Sequence, residues 1–391
     1  MTYINAHEEG AFFVSVGRGN DPYATTMAVL TTLKLPDFSN KRVLLKPNAG
    51  RLVLPGKGIT TDPRVVAAAC DFFIERGAEV AVGESTIIGV KPLECLESTG
   101  IAPIARERHI PVLDLDDEPA DITPVAGIVL DHLKICGAVK RFDYVVSIPV
   151  MKTHMHCGVS LSLKNMKGCL RGREKVRLHQ LPQPAIATQE KTLDLAIADL
   201  SMVLAPDLAL IDGTVGMEGL GPSGGEPKEM NIVVASTDYL SADMVAAALM
   251  GFELEEIPHL RLAAERAGRK LSLDMVRVDQ AGWREWINPF ERPPQKISIE
   301  YPKIEVKDVE SCSACVSTLM LFLKRYYSEL GDYLPLEIAI GKAHGELPPG
   351  TLCIGNCTAK ACRKGLLVKG CPPVASDILK VLKESREGGA G

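Results

Sequence analysis

Six of the eleven cysteines of the chain lie in its last fifth, where their spacing is suited to metal chemistry. They are Cys312, Cys315, Cys353, Cys357, Cys362 and Cys371. The first two form a C-x-x-C pair, which puts two thiolates on one turn of a helix. Thiolate ligands suit both zinc and iron–sulfur clusters, so this segment is predicted to bind one or the other.

The cysteines beyond the first four favour a cluster over zinc. A structural zinc takes two closely spaced pairs, which the C-x-x-C pair and Cys353/Cys357 would supply. Cys371 is followed by proline, as in ferredoxin cluster motifs, and spare cysteines are more natural around a redox centre. We therefore predict a 4Fe–4S cluster, with zinc as the alternative cofactor, and with Cys353 or Cys362 as alternative ligands. The predicted ligands are Cys312, Cys315, Cys357 and Cys371.

A second chemical signal is the basic segment 151–180, which holds seven Lys or Arg side chains and a single acid, Glu174. It begins where a predicted strand ends, which is where open α/β sheets bind ligands. The segment has no aromatic residue on which a base could stack, and the chain has a net charge of −5, so nucleic acid is not an expected partner. We expect a pocket for a carboxylate or phosphate group, the alternative being a solvated basic loop.

The candidate residues for this anion site follow from their positions after predicted strands. Lys152 and His154 are predicted to do acid/base work. Asp212 and Glu218 lie in the glycine-rich stretch 211–227, where they could instead ligate a divalent cation. The residues predicted to bind the anion are Lys46, Asn48, Lys164, Asn165, Lys167, Asp212 and Glu218.

The elements that must position these residues alternate between strands and helices. RVLLKP (42–47) reads as a buried strand, and DLALID (207–212) and LEIAIG (336–341) as further strands. Thr60 to Pro63 reads as a helix start, and another helix is expected around 92–108. Such alternation predicts an α/β fold with a mostly parallel, Rossmann-like sheet over residues 1–290, in one or two lobes. The proline-rich stretch 283–302 is the predicted linker, and 303–391 is predicted to be a smaller, Cys-rich α+β module.

The sequence also indicates in which cellular compartment the protein is expected. No run approaches the ~18 apolar residues of a membrane helix, and the first ten residues lack the pattern of a signal peptide. Eleven cysteines without an export signal are typical of a reducing compartment, so a cytoplasmic protein with no membrane partner is expected.

Several of these motifs together resemble the domain of unknown function 362 family, over about residues 40–255. The matching segments are LLKPN (44–48), TTDPRVV (60–66), VGES (82–85), IPVMKTHMHCGVSLSLKNMKG (148–168), IDGTVGMEGLGP (211–222) and LSADMVAAALMG (240–251). Many members of that family carry Cys-rich iron–sulfur segments, so the resemblance implies an iron–sulfur protein. The tail here departs from the tandem C-x2-C-x2-C-x3-C ferredoxin motif, which leaves the cluster type open.

Three functions are compatible with these signals. The first is an iron–sulfur enzyme of redox or lyase/isomerase type that acts on a small anionic metabolite. The second is a non-catalytic iron–sulfur electron carrier or accessory protein that docks an acidic or redox partner protein. The third is a zinc-stabilised binding protein. The oligomeric state is open, a homodimer being one option.

Overall fold

The computed structural model describes residues 12–87, 89–185, 188–293 and 301–387. The chain divides into two compact units, Met1–Glu291 and Arg292–Gly391. The strands of the first unit are β1 (Phe12–Arg18), β2 (Arg42–Pro47), β3 (Glu79–Glu84), β4 (Val112–Asp114), β5 (Ala120–Pro124), β6 (His132–Cys136), β7 (Tyr144–Ile148), β8 (Val150–His154), β9 (Gly158–Ser160), β10 (Leu208–Glu218), β11 (Glu226–Ser236) and β12 (Val276–Val278). Its helices are α1 (Pro22–Thr32), α2 (Pro63–Ile74), α3 (Pro92–Ser98), α4 (Ile101–Glu107), α5 (Ser162–Asn165), α6 (Glu174–Gln180), α7 (Thr192–Leu204), α8 (Tyr239–Leu249) and α9 (Pro258–Arg266).

The large sheet of the first unit has the order β12-β1-β11-β10-β7-β2-β3-β4. The five strands from β10 to β4 are parallel to one another, and β11 runs antiparallel to both of its neighbours. Two short strands extend the sheet beside the site, since β8 pairs with β10 and with β9. The predicted α/β fold with a mostly parallel sheet is confirmed.

The central strands form because they are apolar on both faces. In β2 and β3 every residue after the first is buried, as expected of parallel strands covered on both sides. Leu44 packs into the hydrophobic core on one face of the sheet, while Val43 and Leu45 pack into the core on the other face. Strand β2 therefore contributes side chains to both cores. Helix α2 begins at Pro63, where the Asp62 carboxylate accepts the backbone N–H of Arg64.

Two sequence-based assignments in the first unit need correction. The single helix expected around 92–108 is two helices, α3 and α4, because Gly100 between them has a φ of +78°. The strand predicted over 207–212 does not end at Asp212, because most of the glycine-rich stretch 211–227 also belongs to strands β10 and β11. These strands pair from Ala209↔Ser236 to Glu218↔Glu226, so the glycines are spaced along a hairpin.

The predicted linker also begins too early. Trp283 and Phe290 are 3% exposed and pack in the core of the first unit. The backbone N–H of Gly219 donates to the carbonyl of Glu291 at 2.9 Å, which fixes the end of this segment. The prolines suggested a linker, but the large apolar area of the two aromatic side chains favours burial of this segment in the core. The remaining part of the expected linker, 294–300, lies outside the described residues.

The second unit is built on its own four-stranded sheet. Its strands are β13 (Ile304–Val309), β14 (Leu336–Gly341), β15 (Leu352–Ile354) and β16 (Leu366–Val368), and its helices are α10 (Ser313–Tyr326) and α11 (Ala375–Glu387). The sheet has the order β13-β14-β15-β16 and is parallel throughout, which refines the expected α+β description to α/β. Phe322, Ile338 and Ile378 meet in its core. Among the described residues of the whole chain, no helix is long and apolar enough to cross a membrane.

Candidate anion site and metal-binding groups

Lys46 is the last residue but one of strand β2, and its ammonium is fully engaged by its neighbours. Its ammonium lies 2.8 Å from the carboxylate of Glu84, which ends β3, and both side chains are 1–2% exposed. It also donates to the side-chain oxygen of Asn165 at 3.1 Å and to the carbonyl of Pro47 at 2.7 Å. These three acceptors use all three N–H groups of the ammonium. Lys46 was predicted to bind the anion, but the structure gives it a positioning role instead.

Asn165 completes the same network. Its amide nitrogen donates to the carbonyl of Lys46 at 3.1 Å and to the hydroxyl of Ser147 at 3.0 Å. The amide therefore ties α5 to strands β2 and β7. Gly168 follows, and a Cβ there would lie 2.4 Å from Cε of Lys46, so only glycine lets this segment approach the ion pair. Asn165 too is a positioning residue rather than an anion ligand.

Lys152 lies in strand β8 and is 5% exposed. Its ammonium donates to the side-chain oxygen of Asn48 and to the carbonyl of Ile59 at 2.8 Å. Burial, and then the positive charge of Lys164, lower the pKa of Lys152 from 10.5 to about 7. This lysine can therefore gain or lose a proton near neutral pH, and Asn48 is used in holding it.

Three further side chains share the surroundings of Lys152. Burial is the main cause that lowers the pKa values of Lys164, Lys167 and His154, and the charge of Lys164 lowers the other two further. Nδ1 of His154 accepts the backbone N–H of His156 at 3.2 Å. We call Lys152, His154, Lys164 and Lys167 the lysine cluster. Within the described ranges, no acidic side chain forms an ion pair with any of its members.

Two residues of this neighbourhood were not among the predicted site residues. His179 on α6 contacts the ammonium of Lys167 through Nε2, and burial holds the pKa of its ring well below 6.5. Asp243 on α8 is fully buried and accepts the backbone N–H groups of Ser162 and Leu163 at 2.8 and 3.0 Å. Its carboxylate caps the short helix α5, which carries Lys164.

Asp212 and Glu218 do not form a common site. Both lie on β10, six positions apart, which corresponds to roughly 20 Å along a strand. Asp212 is buried and accepts the backbone N–H of Asp62 at 2.7 Å, so it fixes the start of α2. Glu218 forms an ion pair with Lys228 at 2.8 Å. The predicted pairing of these two acids around an anion or a cation is wrong, because the hairpin extends the segment.

The exposed half of the basic segment forms a separate groove with a volume of about 410 Å³. It is lined by Ala120, Lys134, Arg171, Gly172, Arg173, Glu174, Val176, Arg177 and Gln180. None of the members of the lysine cluster lines it. The segment 151–180 therefore divides into a buried part that carries the lysine cluster and a solvated basic face.

The cysteines of the second unit separate into two groups. Cys353 and Cys362 are bonded to each other. Cys312 immediately precedes α10. The thiol of Cys315, in the first turn of α10, forms a hydrogen bond with the thiol of Cys312. That hydrogen bond, burial and the charges of Cys312, Cys357 and Cys371 all raise the pKa of Cys315, so the structure brings these four thiols together. Cys357 is exposed, whereas Cys315 is buried.

A further group that could hold a metal ion lies in the first unit. It consists of Cys157, Asp194 and His259, whose ligand atoms all lie within 4.8 Å of one another. All three side chains are buried. Their distant positions in the sequence gave no spacing signal, which is why sequence analysis missed them.

The fold and these groups define a mixed α/β protein with candidate metal ligands in both units. Residues 43–248, more than half of the chain, match the family described as Domain of unknown function (DUF362), and the chain belongs to that family. A thylakoid-associated protein of Synechocystis sp. is 28% identical over 227 residues, which are 58% of this chain and 68% of that protein.

A solved structure also shows a likeness, the lactate racemase apoprotein from Thermoanaerobacterium thermosaccharolyticum. It is 10% identical with a TM-score of 0.41, and the match covers 62% of this chain and 57% of the racemase chain. The fold given above rests on the strand order of this chain and not on that likeness.

Proposed function

We propose that this chain is an iron–sulfur protein that acts on a small anionic metabolite, in a redox or a lyase/isomerase reaction. The second unit would hold a 4Fe–4S cluster, and the first unit would bind a carboxylate or phosphate group at the lysine cluster. The observation that carries the proposal is the division of the six C-terminal cysteines into a bonded pair and a group of four. Two are bonded to each other, and the remaining four share one neighbourhood.

The donor set of the second unit fits the cluster. Four cysteine thiolates are the usual complement of ligands for a 4Fe–4S cluster. The four would be Cys312, Cys315, Cys357 and Cys371, and they come from the start of α10 and from the loops after β15 and β16. When bound by all four thiolates, the cluster would supply electrons; it would act as a Lewis acid only if one of the four left its iron open. Zinc would use the same thiolates and remains the alternative cofactor.

The lysine cluster supports an anionic substrate because none of its members lies in ion-pair contact with a carboxylate among the described residues. Burying an ammonium group is costly unless an opposite charge or hydrogen bonds compensate. Lys46 has Glu84 for this purpose, whereas Lys164 has neither a hydrogen bond nor an ion pair with any side chain that the structure describes. A bound carboxylate or phosphate would supply the missing negative charge. Lys152, whose pKa is about 7, would then exchange a proton with the substrate.

One observation favours the second function, an electron carrier or accessory protein. Cys357 is exposed, so a cluster ligated by it would lie near the surface of the second unit. Electron carriers need such access for a redox partner protein. The exposed Arg173 of the basic groove would suit an acidic partner.

Binding of small anions tests the enzymatic proposal against the carrier. Anaerobically prepared protein is titrated calorimetrically with sulfate and with a panel of di- and tricarboxylates. The enzyme predicts saturable binding that Lys164→Met weakens and that Arg173→Met, in the groove, leaves unchanged. No saturable binding of any anion, together with reduction of an acidic partner protein that depends on Arg173, would favour the carrier.

A further inference from the structure

The group of Cys157, Asp194 and His259 is assembled from three separate elements. Cys157 lies in the turn between β8 and β9, Asp194 in the first turn of α7, and His259 near the start of α9. All three are at most 1% exposed. Three potential ligands from distant parts of the chain thus meet in the interior.

The polar atoms of this group lack ordinary hydrogen bonds. Oδ1 of Asp194 and both ring nitrogens of His259 are buried without a hydrogen-bond partner in the described part of the chain. Buried polar atoms in folded proteins are almost always satisfied, because leaving them unpaired costs free energy. A metal ion bound by the carboxylate oxygen and one ring nitrogen would satisfy two of these three atoms.

The spacing of these atoms matches ligands of a shared metal. Nδ1 of His259 lies 3.4 Å from Oδ1 of Asp194, beyond the usual 2.7–3.2 Å of an N–H···O hydrogen bond. Two ligand atoms bound at about 2.0–2.1 Å to a tetrahedral ion are separated by about 3.3–3.4 Å. The separation is therefore that of two neighbouring corners of a metal site.

We propose that Cys157, Asp194 and His259 bind one zinc ion, at a site separate from the four thiols of the second unit. Thiolate, imidazole and carboxylate are the three ligand types that zinc accepts together. With thiolate and carboxylate ionised and the imidazole neutral, the ligands also balance the charge of Zn²⁺. Within the described residues no fourth His, Cys, Asp or Glu joins the group, so one coordination position stays open, as in catalytic zinc sites.

The surroundings explain how the site would affect the rest of the unit. Lys164 of the lysine cluster interacts electrostatically with both Cys157 and Asp194. The zinc site would therefore adjoin the lysine cluster. The metal assignment itself stands on the three ligands and does not depend on an anion or on an iron–sulfur cluster.

The test uses the full chain with the second unit disabled as a metal site. In a Cys312→Ala/Cys371→Ala parent, zinc content after dialysis is measured by mass spectrometry, and cobalt is titrated while the thiolate-to-cobalt absorption is recorded. We expect one equivalent of either metal. Cys157→Ser should lower the affinity more than the roughly 10–100-fold that outer hydrogen-bonding partners contribute. Cys169→Ser, at a buried thiol outside the group, should bind like the parent.

A stability readout keeps the test decisive if a ligand variant folds poorly. Zinc should raise the thermal midpoint of the chelator-stripped parent and of Cys169→Ser, and it should not raise that of His259→Gln. A parent that binds neither zinc nor cobalt, or whose midpoint zinc does not change, would overturn the proposal. Equal affinity of the parent and Cys157→Ser, or binding of iron alone, would also overturn it.

Discussion

The lysines of the first unit and the cysteines of the second unit are both clusters of like groups, yet they are organised differently. In the second unit, a hydrogen bond to a neighbouring thiol, burial and the charges of such thiols raise the pKa of Cys315. Burial, followed by such charges, raises the pKa of Cys357, while two further cysteines bond to each other. In the first unit one lysine, Lys46, is fully paired by Glu84, whereas Lys152, Lys164 and Lys167 are not. In the proposed function, this difference separates groups that stabilise the fold from groups that would bind a ligand.

The contrast between paired and unpaired groups predicts which substitutions affect stability and which affect binding. A side chain whose donors are all used should matter for folding. A buried charge without a counterpart should matter for the ligand. The following substitutions test this distinction within each unit.

The largest effect is expected from the thiols of the second unit. Cys371→Ala should abolish the ~400 nm charge-transfer absorption of cysteine-ligated iron in anaerobically prepared protein, because the cluster loses a ligand. Cys362→Ala removes a thiol from the same segment that is bonded to Cys353, and it should retain the absorption. Loss of the absorption in Cys362→Ala but not in Cys371→Ala would show that the ligand set is different.

The paired lysine should dominate stability in the first unit. Lys46→Met leaves the buried carboxylate of Glu84 uncompensated and should lower the free energy of unfolding by roughly 3–5 kcal/mol. The double variant Lys46→Met/Glu84→Met should recover much of that loss, since two apolar side chains need no pairing. Urea unfolding followed by circular dichroism measures both.

The exposed Lys57 provides the matched control for this series. Lys57→Met should change the free energy of unfolding by no more than about 0.5 kcal/mol. If Lys46→Met were equally mild, the ion pair would not be holding the ends of β2 and β3 together.

The unpaired lysines should instead govern anion affinity. Lys164→Met should weaken sulfate binding by about 1.5–3 kcal/mol, or roughly 10- to 150-fold, if the ammonium makes a charged hydrogen bond to the anion. Isothermal titration calorimetry gives the affinity, and Arg173→Met in the basic groove serves as the control. An unchanged affinity in Lys164→Met would place the anion elsewhere.

The smallest and most graded effect concerns pH. Because the pKa of Lys152 is lowered to about 7, this ammonium is charged below pH 7 and neutral above it. Sulfate keeps its charge over this range, so its affinity should fall as pH rises above 7, by up to about tenfold per pH unit. Lys152→Met should make the dependence between pH 6 and 9 weaker.

Titration of Lys152 should change the free energy of unfolding in the opposite direction from the sulfate affinity. Between pH 7 and 10.5 the unfolded chain keeps a proton on Lys152 that the native state has released. Stability should therefore rise with pH across this window, through the contribution of this group. A sulfate affinity that is constant from pH 6 to 9 would contradict the assignment of Lys152 to the anion site.

Much of the fold was predictable because its central strands are recognisable in the sequence as short apolar runs. Strands β2 and β14 have the predicted bounds, since continuous apolar runs bounded by proline or glycine have few alternatives. The part of strand β10 after Asp212 was not predicted as a strand, because Gly213 and Gly216 suggest a turn. In the structure they admit Met151 and Phe290 at close range, a tertiary contact that no local pattern encodes.

The residue types of the candidate site could be predicted from the sequence, but the ion pairs and hydrogen bonds between its side chains could not. The position of the basic segment after a strand located Lys152 and Lys164 near one another. Nothing in the sequence shows that Lys46 is paired by Glu84, because the two lie on different strands and meet only when these align. Asp243 and the group of Cys157, Asp194 and His259 were missed for the same reason.

The central claim is tested most directly by the metal content of anaerobically purified protein, measured together with acid-labile sulfide and the absorption spectrum. We expect about four iron and four sulfide per chain, with the absorption near 400 nm, and their loss in Cys371→Ala. Any zinc should depend on Cys157 and not on Cys371. Protein without iron, whose zinc is lost on substitution of Cys371, would contradict the account.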